Sequence, residues 1–393
     1  MDVKNDFNLE LSEVFVNANI SFEKLNSETF KNFLFKYCKK NIPSPDTLWK
    51  NYIKILYNEK INEIRNYIGN NDFFLIIDDT TDILNRYILN VLIGRINSQS
   101  TKIYLLSTFF PEKIDNSVIF QAINDSCSFL YNNKINYSKL LLIITDQAQY
   151  MIKGIKNSKV LYGKSIHITC LIHGLHRLCE FIRKNHPVVD QFISLMKKLF
   201  KNSPFMRRSF QNEFNISLPP KVSIIRWGTW LNGINYYNKN LEIITKFVNS
   251  MNDKKNISKR KIINQIMKIL FENKLKTDLS SANKFYFLVE SIKTLSTEKY
   301  FLKNQLELIN VIKKKLSGVY LEKFKNIIAK NPDLNFLMEN NDIDYLNEMK
   351  YVPLVNISAE RSFGYLGDIL THKRTNLSEE NIIMLLNLYF NNK

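Results

Sequence analysis

The sequence predicts a mixed α/β (α+β) protein, in which one sheet is flanked by helices and a long helical segment interrupts the order. Short apolar runs of strand length follow one another between residues 73 and 170. Apolar residues at helical spacing lie before and after them. The chain of 393 residues is 45% hydrophobic, which is globular composition and long enough for two or three domains.

Residues 1–70 are predicted to be helical, most clearly in SPDTLWKNYIKILYNEKINEIRNYIGN. Ser44 is placed to cap this helix, and Pro45 suits its first turn. Gly69 is a stop signal, so a helix is expected over 45–68.

The period then changes to that of strands. The runs are FFLII, YILNVLIGRI and TKIYLLSTFF, a helix-like segment near SVIFQAINDSCSFLYNN, then KLLLIITDQ and KSIHITCLIH. Strands in series, a helix and a further strand predict a mixed sheet with helices on its faces. Residues 174–202 look helical again, with a break at Pro187.

The remaining sequence sets the predicted domain boundaries. Pro219 and Pro220 indicate an extended connector that leads into a helix. Residues 229–345 carry apolar residues and Lys at helical spacing and predict an all-helical insertion. We therefore divide the chain into 1–70, 71–228, 229–345 and 346–393, the last ending in a helix capped by Asn376 or Ser378.

The formal net charge of +18 predicts a polyanionic partner, and nucleic acid is the obvious candidate. The alternative is that AT-rich coding inflates the Lys content. The basic stretch 254–276, including Lys259, Arg260 and Lys261, is expected to contact a DNA backbone, or else to be a solvated helix face. SKRK also resembles a weak nuclear-import signal, so we expect a nuclear location.

The cysteines and apolar runs argue against other classes of protein. Cys38, Cys127, Cys170 and Cys179 have no paired spacing, which fits a reducing compartment and no zinc finger. Cys170 is expected to be a small buried residue, since no fourth zinc ligand accompanies it. Apolar runs are too short to span a bilayer and the first residues do not resemble a signal peptide, so no membrane association is expected.

Two apolar runs each end in a carboxylate, Asp78 and Asp146. In neighbouring parallel strands these acids would lie side by side, beyond the carboxyl ends of the strands where ligands bind. Their repulsion would be relieved by a hard divalent cation such as Mg²⁺ or Mn²⁺. The alternative is that each aspartate caps the turn that follows; Asp79 and Asp82 are expected to be turn and cap residues.

Five segments taken together resemble those of hAT (hobo, Activator, Tam3) superfamily transposases. They are IIDDTTDILNRYILNVLI, ITDQAQYMIKGI, HITCLIHGLHRL, RWGTW and NISAERSFGYLGDILTHKRTNLSEENIIMLLNLYF. The likeness covers most of the chain, and five motifs in the right order are more specific than any one of them.

The resemblance implies an RNase H-like core interrupted by a helical insertion, with a catalytic and metal-binding triad of Asp78, Asp146 and Glu360. Asp78 is preferred to Asp79 because it aligns with the first acid of the family pattern. Glu360 precedes an apolar-periodic stretch and is expected near a helix start, where a carboxylate is favoured. Its alternative role is that of a simple first-turn residue.

The resemblance also suggests residues that bind DNA. His173 would contact phosphate, Arg226 offers a fork of donors for phosphate, and Trp227 offers a face for a flipped base. The alternative is a core tryptophan beside a surface arginine. Trp230 is expected in the core, and the carboxyl-terminal segment is expected to form a homodimer or larger homo-oligomer.

The match departs from the family in three places. No zinc-binding BED finger precedes Asp78, the helical insertion is short, and Gly364 stands where serine is common. We therefore expect a DNA-binding transposase that cleaves and transfers strands, with two divalent ions held by Asp78, Asp146 and Glu360. The alternatives are a transposase-derived DNA-binding or interaction protein that has lost the reaction, and a nuclease acting on RNA hybrids.

Overall fold

A computed structural model of the chain describes most of its residues. They are 6–96, 102–222, 228–254, 258–272, 274–297, 302–339, 349–371, 374 and 376–393. The chain divides into two compact units. The first consists of Met1–Cys170, Phe301–Lys303 and Phe336–Lys393, and the second of Leu171–Tyr300 and Asn304–Asn335.

The first unit begins with helices, as predicted. These are α1 (Asp6–Asn17), α2 (Glu28–Cys38), α3 (Pro45–Thr47), a π-helical turn (Leu48–Ile53) and α4 (Lys54–Ile68), with a 3₁₀ turn at Phe22–Asn26. The Ser44 hydroxyl accepts the Thr47 N–H at 3.2 Å, and Gly69 ends α4 with a positive φ of +52°. The predicted helix over 45–68, with its cap and its stop, is confirmed.

A mixed sheet follows, which confirms the α+β class. Its strands are β1 (Phe73–Thr81), β2 (Tyr87–Arg95), β3 (Ile103–Phe109), β4 (Leu140–Thr145) and β5 (Ile166–Thr169), and helices α5 (Asn116–Leu130) and α6 (Gln149–Ser158) lie between β3 and β5 in the chain. Within the described residues the strand order is β3-β2-β1-β4-β5. The β1–β2 and β2–β3 pairs are antiparallel, whereas β1–β4 and β4–β5 are parallel.

Helices make up the second unit wherever the structure describes it. They are α7 (Leu171–Lys184), α8 (Pro187–Phe200), α9 (Pro204–Phe214), α10 (Thr229–Asp253), α11 (Arg260–Phe271), α12 (Lys274–Asn283), α13 (Phe287–Leu295), α14 (Leu302–Lys315) and α15 (Gly318–Ala329), with α16 (Pro332–Glu339) after them. The break at Pro187 is confirmed, since α8 begins there. No helix in the described ranges is long and apolar enough to cross a membrane.

The second unit starts at Leu171 rather than at the predicted boundary of residue 229. Helix α8 packs against α11 and α12, and α7 contacts α10 and α15. The amphipathic helices α7 and α8 therefore bury their apolar faces against the helical insertion, which the spacing of apolar residues alone could not reveal.

The carboxyl-terminal segment returns to the first unit with α17 (Ile357–Ile369) and α18 (Glu379–Asn391). The Ser378 hydroxyl caps α18. On β3, the end strand, the Leu105 N–H donates to Asn391 Oδ1 at 2.8 Å, and Asn387 Nδ2 donates to the Leu105 carbonyl at 2.7 Å. Helix α18 thus closes this sheet edge. Its apolar face is buried within the chain, so these contacts give no support to the predicted dimer through it.

The sheet has two chemically different faces, because successive side chains of a strand point in opposite directions. Phe73, Leu75 and Ile77 of β1 lie in an apolar core with side chains of α4, α5 and α6. We call this side the apolar face. On the other side, which carries Asp78 and Asn90, helix α17 packs against β1 and β2. We call this the polar face.

Candidate catalytic site

Asp78 lies within β1, on the polar face, and is only 6% exposed. It pairs across the sheet with Asn90 of β2. Its Oδ2 accepts a hydrogen bond from Asn356 Nδ2 at 2.9 Å. The first acid of the predicted triad is therefore buried and oriented by a side chain 278 positions later in the chain.

Asp146 directly follows β4, which runs parallel to β1. The last recorded pair between these strands is Ile76 with Ile144, so each aspartate lies two residues beyond the same pair. Neighbouring strands are about 4.8 Å apart, which places the two acids side by side at this end of the sheet. Asp146 Oδ1 also accepts the Ala148 N–H at 2.9 Å, so the turn-capping alternative holds for one of its oxygens.

Glu360 lies in the first turn of α17, as the sequence predicted. This helix contacts both β1 and β2. Burial raises the pKa of the Glu360 carboxyl, and the charge of Asp146 raises that pKa further. The third predicted acid therefore comes from the helix that covers the polar face and is close enough to Asp146 to feel its charge.

The electrostatics of Asp78 link it to the other two acids. Burial raises the pKa of the Asp78 carboxyl well above its usual range, and the charges of Glu360, Asp146 and Asp79 raise it further, in that order. The structure thus brings Asp78, Asp146 and Glu360 together within the first unit.

Asp79 has a different environment. Its Oδ1 accepts the hydroxyl hydrogen of Tyr150, in α6, at 2.9 Å. Burial raises the Asp79 pKa, the Tyr150 hydrogen bond lowers it, and the Asp146 charge raises it again, but Glu360 is not among the causes. Asp78 is therefore the acid that shares a face with Glu360, which agrees with preferring it to Asp79.

The expectation that Asp79 and Asp82 are turn and cap residues is half right. Asp82 lies between β1 and β2, where its carboxylate accepts the N–H groups of Leu84 and Arg86 and pairs with the Arg86 guanidinium. For Asp79 the expectation is wrong. It lies within β1, and its side chain binds Tyr150 instead of capping a turn.

A buried chain of hydrogen bonds holds α17 against the sheet. Asn90 Nδ2 donates to the Ser362 hydroxyl at 2.7 Å, and Asn90 Oδ1 accepts the Thr108 hydroxyl hydrogen at 2.8 Å. Ser362 donates in turn to the Ala359 carbonyl at 2.6 Å, next to Glu360. Our sequence analysis missed these residues. The signal available was that Asn90 and Thr108 interrupt otherwise apolar strands.

Asn356 is a second residue that sequence reasoning missed. It is fully buried, and its backbone carbonyl accepts the N–H groups of Ala359 and Glu360 at the start of α17. Its own N–H donates to Cys170 Sγ at 3.4 Å, and Cys170 is buried as predicted. Asn356 therefore connects Asp78 to the helix that carries Glu360.

The three acids offer only oxygen donors, which suit Mg²⁺ or Mn²⁺. Their mutual repulsion, seen at Asp78 and Glu360, is what a divalent cation would relieve. Among the described residues, however, no group of three or more His, Cys, Asp or Glu is positioned to hold a metal ion. The donor chemistry fits a cation, and the carboxylates would have to draw closer to bind one.

Comparison with known proteins identifies no family for this chain. No family model matches the chain, and no curated protein matches its sequence. The resemblance to hAT transposases therefore rests on the five sequence motifs.

The predicted DNA contacts of the basic stretch have another role in the structure. Lys259 Nζ donates to the Lys198 carbonyl at 2.6 Å, and Arg260 donates to the Lys254 carbonyl at 2.8 Å. Burial lowers the Lys259 pKa. These carbonyls lie at the ends of α8 and α10, where cations are favoured. Lys259 and Arg260 thus stabilise helix ends, whereas Lys261 is exposed.

The other predicted DNA-binding residues are His173, Arg226 and Trp227. His173 is in α7, at the start of the second unit. Arg226 and Trp227 fall outside the described residues. Trp230 is buried in α10, which confirms it as a core residue. The structure leaves the predicted DNA contacts of His173, Arg226 and Trp227 as predictions.

Proposed function

We propose that this chain is a DNA-cutting enzyme of the hAT transposase type, with an RNase H-like first unit. The observation that carries the proposal is the convergence of Asp78, Asp146 and Glu360 at one end of the sheet. They come from the central strand β1, the end of its parallel neighbour β4, and a helix on the polar face. The order of the three acids along the chain and the mixed sheet support the proposal.

The chain's own residues would bind and orient the reacting groups. Asn356 fixes the direction of the Asp78 carboxylate, and the Asn90–Ser362 hydrogen bond holds α17 and with it Glu360. A Mg²⁺ or Mn²⁺ ion held by the three acids would supply the positive charge that stabilises the reacting phosphate and activates water or a 3′-hydroxyl. The net charge of +18 would draw the DNA to the protein. A nuclear location would follow from this substrate.

The test compares nicking of supercoiled plasmid by the purified chain in Mg²⁺, in Mn²⁺ and in EDTA. We expect Asp146→Asn to lower the nicking rate about 10²–10³-fold, the scale for loss of one preorganised charged group. Asp82→Asn is the matched control, because Asp82 is bound to Arg86 in a turn. Nicking by Asp146→Asn at the wild-type rate would refute the enzymatic proposal.

The alternative function keeps DNA binding without the reaction. A transposase-derived DNA-binding protein that has lost the reaction would keep the fold and the three acids. It predicts DNA binding without nicking, and no rise in melting temperature when Mg²⁺ or Mn²⁺ is added.

A further inference from the structure

Helix α2 leaves large aromatic side chains uncovered. None of its residues is buried. Phe33, Phe35 and Tyr37 are 57%, 52% and 65% exposed. The helix is anchored on its inner side, where Phe30 contacts Phe15 at a centroid distance of 6.2 Å. Large aromatic side chains gathered on one exposed helix suggest an interaction surface.

Two of the exposed rings lie together beside a lysine. Phe33 and Tyr37 are one helical turn apart, with ring centroids separated by 4.9 Å, and Lys36 Nζ lies 5.3 Å from the Tyr37 centroid. Phe35 is about 200° around the helix from Phe33. Lys39 is also exposed. Phe33, Tyr37 and Lys36 therefore form one exposed cluster, whereas Phe35 lies on the opposite side of α2.

The excess of lysines on α2 indicates a negatively charged partner. Residues 28–40 contain four lysines and Glu28 as the lone acid. No carboxylate in the described ranges forms a salt bridge with Lys36, Lys39 or Lys40. A second copy of α2 laid against this face would place lysines against lysines, which disfavours self-association. A polyanion with flat rings of its own complements both features.

We propose that the exposed side chains of α2 form a binding surface for single-stranded DNA. We call it the α2 surface and define it by Phe33, Lys36, Tyr37, Lys39 and Lys40. Its rings would stack on unpaired bases while its lysines contact phosphates. Duplex DNA would bind more weakly, since its base faces are already stacked. The choice of DNA over RNA rests on the proposed function.

The first experiment measures binding in EDTA, so that cleavage is not required. Fluorescence anisotropy would follow a labelled 20-nucleotide DNA strand, its duplex and the RNA of the same sequence. We expect the wild-type chain to bind the single DNA strand most tightly. Phe33→Ala/Tyr37→Ala should weaken that binding at least tenfold, since each stacked base contributes strongly. Circular dichroism melting would check that the variant is folded.

A matched control is available in the second unit. Phe205 is 52% exposed and has Lys254 Nζ 5.7 Å from its ring centroid, the same chemistry as on α2. Phe205→Ala should leave the DNA affinity within twofold of wild type. An equal loss in both variants would overturn the assignment to α2, and RNA bound as tightly as DNA would overturn the assignment to DNA.

Cys38 gives a direct readout of position. It is exposed, whereas Cys127, Cys170 and Cys179 are buried, and burial raises the pKa of the Cys127 and Cys179 thiols to about 12. We expect the DNA strand to slow iodoacetamide alkylation of Cys38 at least fivefold at saturation. No protection, or protection that follows protein self-association without DNA, would overturn the proposal. If the chain nicks DNA but α2 does not bind the single strand, the α2 proposal fails and the proposed function stands. If α2 binds the single strand but the chain does not nick DNA, the α2 proposal stands and the proposed function fails.

Discussion

The two faces of the sheet in the first unit share every strand but differ at the end that carries Asp78 and Asn90, where buried polar groups join apolar residues such as Phe74 and Ile76. Ile77 and Asp78 are consecutive residues of β1, yet one lies in the apolar core and the other faces α17. The apolar face contributes burial, which stabilises the fold. The polar face buries Asn90, Thr108 and Asp78, and the half-buried Asp146 and Glu360 lie close enough to Asp78 to raise its pKa. The comparison suggests that this sheet separates the residues that hold the fold together from those that act.

The polar groups of that face are not equally well accommodated. Asn90, Thr108 and Ser362 have their hydrogen bonds satisfied by one another. Asp78 has a donor in Asn356 but also faces the charges of Glu360 and Asp146. A satisfied buried network stabilises and fixes geometry, whereas like charges held close cost stability and are typical of functional sites. Each prediction below tests one side of this difference.

The largest effect is expected on the apolar face. Ile77→Ala removes a fully buried side chain from the core and should lower the free energy of unfolding by about 2–5 kcal/mol. Urea denaturation followed by circular dichroism would measure it. Val160→Ala, at a position 87% exposed, is the control and should change stability by less than about 0.5 kcal/mol. A loss below about 1 kcal/mol for Ile77→Ala would mean that this face is not the stabilising core.

An intermediate effect is expected for the hydrogen-bonded network. Asn90→Ala leaves the Ser362 and Thr108 hydroxyls without this partner and should cost about 1–3 kcal/mol. The substitution should also lower the nicking rate, because the Asn90–Ser362 hydrogen bond holds α17, the helix that carries Glu360. Ser126→Ala is the matched control in α5. Ser126 is fully buried and its hydroxyl has no partner in the described structure, so its removal should be neutral or stabilising. Equal losses in both variants would contradict the network's role.

The smallest effect should have the opposite sign. Asp78→Asn removes a charge from the repelling cluster and should raise stability at pH 7 by about 0.5–2 kcal/mol while abolishing nicking. Because the folded pKa of Asp78 is raised, the folded chain holds its proton more tightly than the unfolded chain. The protonated Asp78 carboxyl therefore stabilises the wild-type fold at a pH below the pKa that this group has in the unfolded chain. This stabilisation is lost as the pH rises through the higher pKa of the folded chain.

Melting temperature as a function of pH would check the sign. The stability gain of Asp78→Asn over wild type should grow as the pH rises from about 4, the unfolded pKa of Asp. Asp82→Asn is a control of opposite sign. Burial alone would raise the Asp82 pKa, but hydrogen bonds from Arg86 and Leu84 lower it, so this variant should lose stability at neutral pH. Destabilisation by Asp78→Asn at pH 7 would contradict the repulsion inferred here.

Much of the fold could be predicted because its signals are local. Ser44, Pro45 and Gly69 act on backbone groups within a few residues, so the ends of the first long helical run followed from the sequence. The strand pattern followed from the length of the apolar runs. The boundary at Leu171 could not be predicted, because it depends on which helices α7 and α8 pack against.

The candidate site was predictable only in its acids. Asp78 and Asp146 end or interrupt apolar strands, and Glu360 begins a helical pattern, so each stands out in the sequence. Asn90 interrupts an apolar strand without revealing its partner, and Asn356 carries no such signal. Their partners, Ser362 and Asp78, are 272 and 278 positions away, and pairs at that separation have no sequence periodicity.

By itself the sequence determined the order of helices and strands, the caps at their ends and the positions of three acids, since these depend on neighbours along the chain. Only the tertiary structure decided that Asp78, and not Asp79, faces Glu360, and that α2 leaves its aromatic rings uncovered. Both outcomes depend on which elements pack on each face, because burial and repulsion act between groups that the folded chain brings together.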